Sequence, residues 1–125
     1  MVNDRAWIYC KINSEDDLND LEGQKELLTA FAEYEGYRVA GLSQNISSVD
    51  VLDENGVSTL VQIIGDEMID TVFVTDSFRL GVSIDEIYEV LTQLNNIGVQ
   101  VISMNDGVLD TTQNTMDKIE KAMNI

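Results

Sequence analysis

Residues 70–81, with the sequence DTVFVTDSFRLG, include the side chains best placed to do chemistry. The first half of this stretch, Thr71–Val74, is a short apolar and β-branched run of the kind that forms buried strands in parallel sheets. The loop after it contains Asp76 and Arg79, and Arg79 is one of only seven basic residues in the chain. Ligands of an open α/β sheet gather at the carboxyl ends of its strands. We therefore expect any site to lie here and at the end of the first strand.

Motifs for the commonest kinds of enzyme and metal site are absent from the sequence. It has no GxGxxG, GxxxxGK(S/T) or GxSxG motif and no histidine, which argues against dinucleotide, P-loop, hydrolase and zinc sites. The acidic residues are scattered, and no spacing singles out a general acid and base. The single cysteine, Cys10, lies in an apolar run and is expected to be a buried structural thiol. We therefore expect neither a cofactor nor a metal.

A response-regulator receiver is a minor alternative, because its phosphorylated aspartate also closes a central strand, as Asp76 does. A receiver additionally needs an acidic pair after its first strand and a lysine after its last strand. The corresponding residues are Lys-Ile-Asn at 11–13 and Ser-Met-Asn at 103–105, so both requirements fail.

The chain is strongly acidic, with 23 acidic residues against seven basic ones and a formal net charge of -16. Because DNA binding depends on lysine and arginine at the phosphates, the isolated domain is not expected to bind DNA. No apolar run approaches the roughly 20 residues of a membrane span, and the polar N-terminus does not resemble a signal peptide. Together with the single cysteine, these features favour a cytoplasmic protein.

Strand-like and helix-like segments alternate along the chain, which is typical of a parallel α/β sheet. Gly36 is expected to end the first helix, and Ser83 is expected to cap the third. A polar loop is predicted over residues 43–55. At 125 residues the chain has room for one domain, residues 1–125. The predicted strands cover residues 5–12, 37–42, 71–74 and 98–104, and the predicted helices cover residues 21–34, 56–68, 83–94 and 112–123.

Four separated stretches resemble a set of family motifs in the right order. Residues 9–14, YCKINS, correspond to Y-x-R-V-S-S/T with several substitutions, and residues 21–28, LEGQKELL, are close to L-E-x-Q-x-x-x-L. Residues 70–82 are close to I-D-x-V/L-x-V-x-x-L-D-R-L-G-R, and residues 98–107 are close to G-V-x-L/V-x-S-L/I-x-D-G. On these motifs the chain resembles the N-terminal catalytic domain of serine site-specific recombinases, the resolvase/invertase family.

The resemblance implies a doubly wound, mostly parallel α/β sheet flanked by helices and a role in DNA strand exchange. In that family a serine attacks the phosphodiester and forms a covalent link to DNA, while several arginines stabilise charge on the phosphate. A long C-terminal helix drives dimerisation and leads to a DNA-binding domain. Here residues 112–125 would be a truncated form of that helix, and no DNA-binding domain is expected after it.

Most of the family's catalytic residue types are missing from the matching positions. Asn13 stands at the position of the nucleophilic serine, and an amide cannot replace a hydroxyl nucleophile. Lys11 stands for the preceding arginine, which keeps the charge but loses the bidentate guanidinium. The other departures are Glu54 in the D-R-P-G motif, Phe78 for the aspartate and Val82 for the final arginine, while Arg79 and the supporting Gln24 are retained.

Two residues of this loop have alternative interpretations. Arg79 could form a residual anion site with Lys11, or it could be a structural arginine tethered to Asp76. Phe78 could be a hydrophobic plug over the former site or an exposed anchor for a partner.

The last predicted helix carries an apolar side formed by Met116, Ile119 and Met123. This side could pack on its own domain, or it could pair with a second copy or with a related recombinase. Two functions remain open. One is a non-catalytic, pseudoenzyme domain that acts by protein contact, and the other is a recombinase domain or mobile-element remnant with DNA-binding and strand-exchange activity.

Overall fold

The computed structural model describes residues 5–12, 14, 17–46, 56–81 and 83–123. Among these residues, the strands are β1 (Arg5–Ile12), β2 (Arg38–Ile46), β3 (Thr71–Val74), β4 (Gln100–Ser103) and β5 (Gly107–Leu109). The α-helices are α1 (Leu18–Tyr34), α2 (Gly56–Glu67), α3 (Ile84–Asn96) and α4 (Gln113–Met123). The strands form one sheet in the order β2-β1-β3-β4-β5, in which only β5 is antiparallel to its neighbour. The predicted mostly parallel α/β sheet is confirmed.

Local sequence signals explain where several of these elements begin and end. All four residues of β3 are buried, as expected of an apolar run in the middle of a parallel sheet. The Ser83 side chain caps α3 by accepting a hydrogen bond from the Glu86 backbone N–H at 3.3 Å. Gly36 follows α1 with a φ of +92°, a conformation that glycine adopts at little cost. Both predicted helix boundaries are therefore confirmed.

The described helices pack on both faces of the sheet, as in a doubly wound fold. On one face α2, α3 and α4 bury an apolar cluster against β1, β3, β4 and β5. On the other face α1 alone buries a second cluster against β1 and β3. No helix in the part of the chain that the structure describes is long and apolar enough to span a membrane.

The second strand is longer than the sequence predicts. A loop was expected from Ser43, but β2 stays paired with β1 beyond that residue. Two of its polar side chains hydrogen-bond to aromatic residues of β1: Ser43 accepts from the Trp7 indole N–H at 2.8 Å, and Asn45 donates to the Tyr9 hydroxyl at 3.4 Å. These contacts allow a polar segment to form an edge strand. The rest of the predicted loop, residues 47–55, lies outside the described residues.

The fifth strand was not predicted. Residues 104–106 form a tight connection, and Gly107 then pairs antiparallel with Ser103. Gly107 has a φ of +83°, so the hairpin uses a conformation that favours glycine. Three residues are too few to give a readable hydrophobic period. An all-parallel receiver sheet would need a crossover between these strands, so the hairpin argues against the receiver alternative.

Candidate functional site

The loop after β3 turns the Arg79 side chain back over the end of β1. Asp76 starts a short 3-10 helix, Ser77–Arg79, because its carboxylate accepts a hydrogen bond from the Phe78 backbone N–H at 3.1 Å. The Leu80 N–H then bonds to the Ser77 carbonyl at 3.0 Å, which closes the turn. This compact turn determines where the guanidinium can reach.

The Arg79 guanidinium is bound on several sides by atoms of its own chain. Its Nη1 donates to the Lys11 carbonyl oxygen at 2.9 Å, and its Nε donates to the Thr75 hydroxyl at 3.2 Å. It also forms ion pairs with Asp76 at 3.3 Å and with Asp20 at 3.6 Å. Two carboxylates therefore offset the single positive charge. In this geometry the Arg79 side chain is tethered to Asp20 and Asp76.

Gln24 connects α1 to the end of β1 and to the arginine. Its Oε1 accepts from the Lys11 backbone N–H at 3.1 Å, and its Nε2 donates to the Lys11 carbonyl at 2.9 Å. Its Nε2 also donates to Asp20 at 3.1 Å. The Lys11 carbonyl thus accepts hydrogen bonds from both Gln24 and Arg79. Gln24 is therefore a buried clamp on this strand end, and its supporting role in the family's site stays a prediction.

A second clamp holds the 3-10 helix against the end of β4. The Asp106 carboxylate accepts from the Ser103 hydroxyl at 2.8 Å and from the Ser77 backbone N–H at 3.2 Å. The Asn105 N–H bonds to the Thr75 carbonyl at 3.0 Å. Sequence reasoning places Asp106 in a turn at residues 105–107 but assigns no role to Asp20. The available signal for Asp20 was its position four residues before Gln24, on the same side of α1.

The family model "Resolvase, N terminal domain" matches residues 6–124. The chain belongs to the resolvase family. It is a serine recombinase catalytic domain, as the four sequence motifs indicated. Among curated proteins, none matches the sequence.

Solved structures of serine recombinases share the resolvase-family fold seen here. The C-terminal catalytic domain of ISC1926 TnpA, an IS607-like serine recombinase, is 26% identical with a TM-score of 0.67, over 94% of this chain and 79% of that one. The N-terminal catalytic domain of TP901-1 integrase is 20% identical with a TM-score of 0.73, over 96% of both chains. A resolvase-family site-specific recombinase from Streptococcus pneumoniae is 17% identical with a TM-score of 0.74, over 97% of this chain and 86% of that one. The last two comparisons support the fold alone.

The structure brings together only some of the positions that correspond to the resolvase active site. Lys11 and Arg79 meet at the end of β1, but the contact runs through the Lys11 carbonyl, and Lys11 as a whole is only 3% exposed. Phe78 lies on the adjacent 3-10 helix with an exposed side chain. Within the described ranges, no group of histidine, cysteine, aspartate or glutamate residues is arranged to hold a metal ion. Asn13, Glu54 and Val82 lie outside the described residues.

The apolar side of α4 faces its own domain. Ile119 is buried in the core under α3 and α4, and Met116 and Met123 are half-buried against the same cluster. This packing accounts for the apolar spacing within one chain. Pairing of this helix with a second subunit stays a prediction.

The Cys10 thiol is buried beneath α1, close to the site. Burial raises the pKa of this thiol from its usual value near 9 to about 11, while the positive charges of Lys25 and Arg79 act in the opposite direction. At about pH 8 the thiolate fraction should be roughly a hundredfold smaller than that of an unburied cysteine. We expect negligible reaction of the native protein with dithiobisnitrobenzoate over minutes and complete reaction in guanidinium chloride. Equal rates in both conditions would contradict the buried position.

Proposed function

We propose that this resolvase-family domain does not cleave DNA and acts in DNA recombination through contact with another protein. The observation that carries the proposal is the set of contacts around Arg79, the one arginine retained from the family's motif. Its guanidinium donates hydrogen bonds to the Lys11 carbonyl and the Thr75 hydroxyl, and it forms ion pairs with two carboxylates. An arginine held in this way serves the fold of the loop.

Phosphoryl transfer needs positive charge directed at the phosphate oxygens. A phosphate approaching Arg79 would meet the carboxylates of Asp20 and Asp76 at the same guanidinium. Lys11 is only 3% exposed, so little of its side chain is open to contact by an incoming DNA strand. The family's other catalytic positions carry Asn13, Glu54 and Val82 in the sequence. Both the nucleophile and most of the charge stabilisation are therefore lacking.

The distribution of the basic residues also supports action through protein contact. Arg5 pairs with Glu67 at 3.6 Å, and Lys25 pairs with Glu22 at 2.7 Å, so these cations are offset locally. With a net charge of -16, the chain as a whole repels a phosphate backbone. This charge balance is unsuited to binding DNA and compatible with binding a protein that carries basic residues.

A trapping experiment tests the proposal directly. The protein is incubated with a suicide DNA substrate whose nicked strand prevents religation, and covalent adducts are resolved on a denaturing gel. We expect no adduct, because Asn13 has no hydroxyl to form the phosphoserine link. An active serine recombinase run in parallel shows that the substrate is competent.

The Asn13→Ser variant is the informative companion in this experiment. It restores the nucleophile type but leaves Glu54 and Val82 in place of arginines and Arg79 tethered. We expect no adduct from this variant either. An adduct formed by the unmodified chain would overturn the proposed function.

A further inference from the structure

The two faces of the sheet are unequally covered by the described helices. Three helices pack on one face, whereas α1 alone packs on the other. α1 lies over β1 and β2 and contacts β3 at its edge. On that face, the part of the sheet formed by β4 and β5 has no described helix above it.

The uncovered part of the sheet continues an apolar row that begins in the core. Phe73 pairs in register with Ile102, and Ile102 pairs with Val108, so the three side chains lie side by side on one face. Phe73 is fully buried, Ile102 is half-buried and Val108 is 51% exposed. Met104 packs at the edge of the same cluster. Burial therefore falls steadily along the row away from α1.

One flank of α1 forms an apolar wall beside this row. Leu27, Phe31 and Tyr34 follow the spacing i, i+4, i+7, which places them on one side of the helix. Asp20, seven residues before Leu27, lies on the same side and reaches Arg79 in the loop after β3. This flank therefore faces β3, on the side of the sheet that continues to β4.

The apolar row of the sheet forms a floor beside this wall, and the wall and the floor meet at the Phe73 ring. The centroids of the Phe31 and Phe73 rings are 5.8 Å apart in an edge-to-face arrangement. Leu27 is 55% exposed and Tyr34 is 86% exposed, so the upper part of the wall is open. The wall and the floor together make a two-sided apolar channel. We call this channel the α1–β4 groove, defined by Leu27, Phe31, Tyr34, Ile102, Met104 and Val108.

We propose that the α1–β4 groove binds an amphipathic helix with a basic polar face, supplied by a partner protein. α1 covers only part of this face of the sheet, and the groove lies where a second helix would pack beside it. The shape of the groove therefore fits a helix. Aromatic and methionine side chains, of which the groove has three, are enriched at protein interfaces. The proposal rests on the proposed function, since it names the surface through which protein contact occurs.

Charge favours a basic partner over a second copy of the chain. None of the six groove residues is charged, and carboxylates lie at both ends. Asp20 and Asp76 lie at the end near the loop after β3, where they flank Arg79, and Glu35 follows Tyr34 at the other end. At the far rim, Val108 lines a cavity of about 260 Å³ together with Asp106 and Lys118, so one carboxylate and one ammonium group lie beside that rim. A second copy would bring another 16 net negative charges to this surface.

Two synthetic peptides test this assignment. Both are helices of about 18 residues with the same leucine face, and their polar faces are all lysine or all glutamate. Binding to the protein is measured by fluorescence anisotropy at physiological salt. We expect saturable one-to-one binding of the lysine peptide, at least about tenfold tighter than that of the glutamate peptide.

A pair of matched variants separates the groove from general charge attraction. Leu27→Ser with Val108→Ser removes two half-exposed groove side chains and should weaken lysine-peptide binding about tenfold or more. Leu18→Ser with Ile97→Ser removes side chains of similar exposure, 49% and 48%, from other surfaces and should leave binding within about twofold. Circular dichroism and the melting temperature establish that each variant is folded.

Three outcomes would overturn this proposal. The first is equal binding of the lysine peptide by the parent and the groove variant, which would assign the affinity to charge alone. The second is failure of both peptides to bind. The third is self-association of the parent that the groove substitutions abolish, which would assign the groove to a second copy. None of these outcomes bears on the adduct experiment, because the groove residues are distinct from the recombinase positions.

Discussion

Replacing Phe73 with alanine is expected to lower the free energy of unfolding by about 3–5 kcal/mol. The ring is fully buried in the middle of the sheet, between the Phe31 ring at 5.8 Å and the Tyr37 ring at 5.1 Å. Its removal leaves a cavity under α1 and ends two edge-to-face contacts. Because the free energy of unfolding of a domain of this size is only about 5–15 kcal/mol, this loss is a large part of its stability.

Urea unfolding followed by circular dichroism measures this effect, with Phe78→Ala as the matched control. Phe78 is the same residue type only five positions away, but its side chain is exposed on the 3-10 helix. The control should lose no more than about 1 kcal/mol. Similar losses in both variants would mean that Phe73 does not occupy the centre of the core.

Phe73 also links stability to the proposed interaction surface. The same ring supports Phe31 in the wall of the α1–β4 groove and lies beside Ile102 in its floor. The milder Phe73→Leu variant, which keeps most of the volume, should remain folded and lower the affinity for the lysine peptide. Loss of stability with unchanged affinity would mean that Phe73 stabilises the core but does not support the groove.

Replacing Gln24 with alanine is expected to destabilise the protein by about 2–4 kcal/mol, the second large effect. The side chain is buried and makes hydrogen bonds to both the N–H and the carbonyl of Lys11. Its removal ends the bond from the Lys11 N–H to Gln24 in the interior, and the Lys11 carbonyl loses the bond from Gln24 while its bond from Arg79 remains. The loss of these two buried hydrogen bonds carries the main cost.

Two further variants test the Gln24 clamp by the same unfolding measurement. Gln93→Ala changes the same residue type at an exposed position of α3 and should shift stability by less than about 0.5 kcal/mol. Gln24→Glu keeps the size and the acceptor but loses the amide donor, and it places a carboxylate beside Asp20. It should be about as destabilising as alanine. A neutral effect of either Gln24 substitution would mean that the clamp does not hold the strand end.

Local patterns in the sequence were sufficient to predict much of the fold. The apolar run Thr71–Val74 predicted a buried strand, and Gly36 and Ser83 predicted two helix boundaries. These signals act within a few residues, so the tertiary structure leaves them unchanged. They fail where an element is very short, as in β5, or polar, as in the second half of β2.

The sequence alone also determined that the chain has the motifs of a serine recombinase with Asn13 at the nucleophile position. The residue at each position of a motif can be read directly from the sequence, without coordinates. Only the tertiary structure decided what Arg79 contacts and which apolar side chains of α1, β4 and β5 form a groove. Arg79 and the Lys11 carbonyl are 68 residues apart in the chain. The partners of a side chain depend on how distant segments pack against one another, and no local pattern specifies that packing.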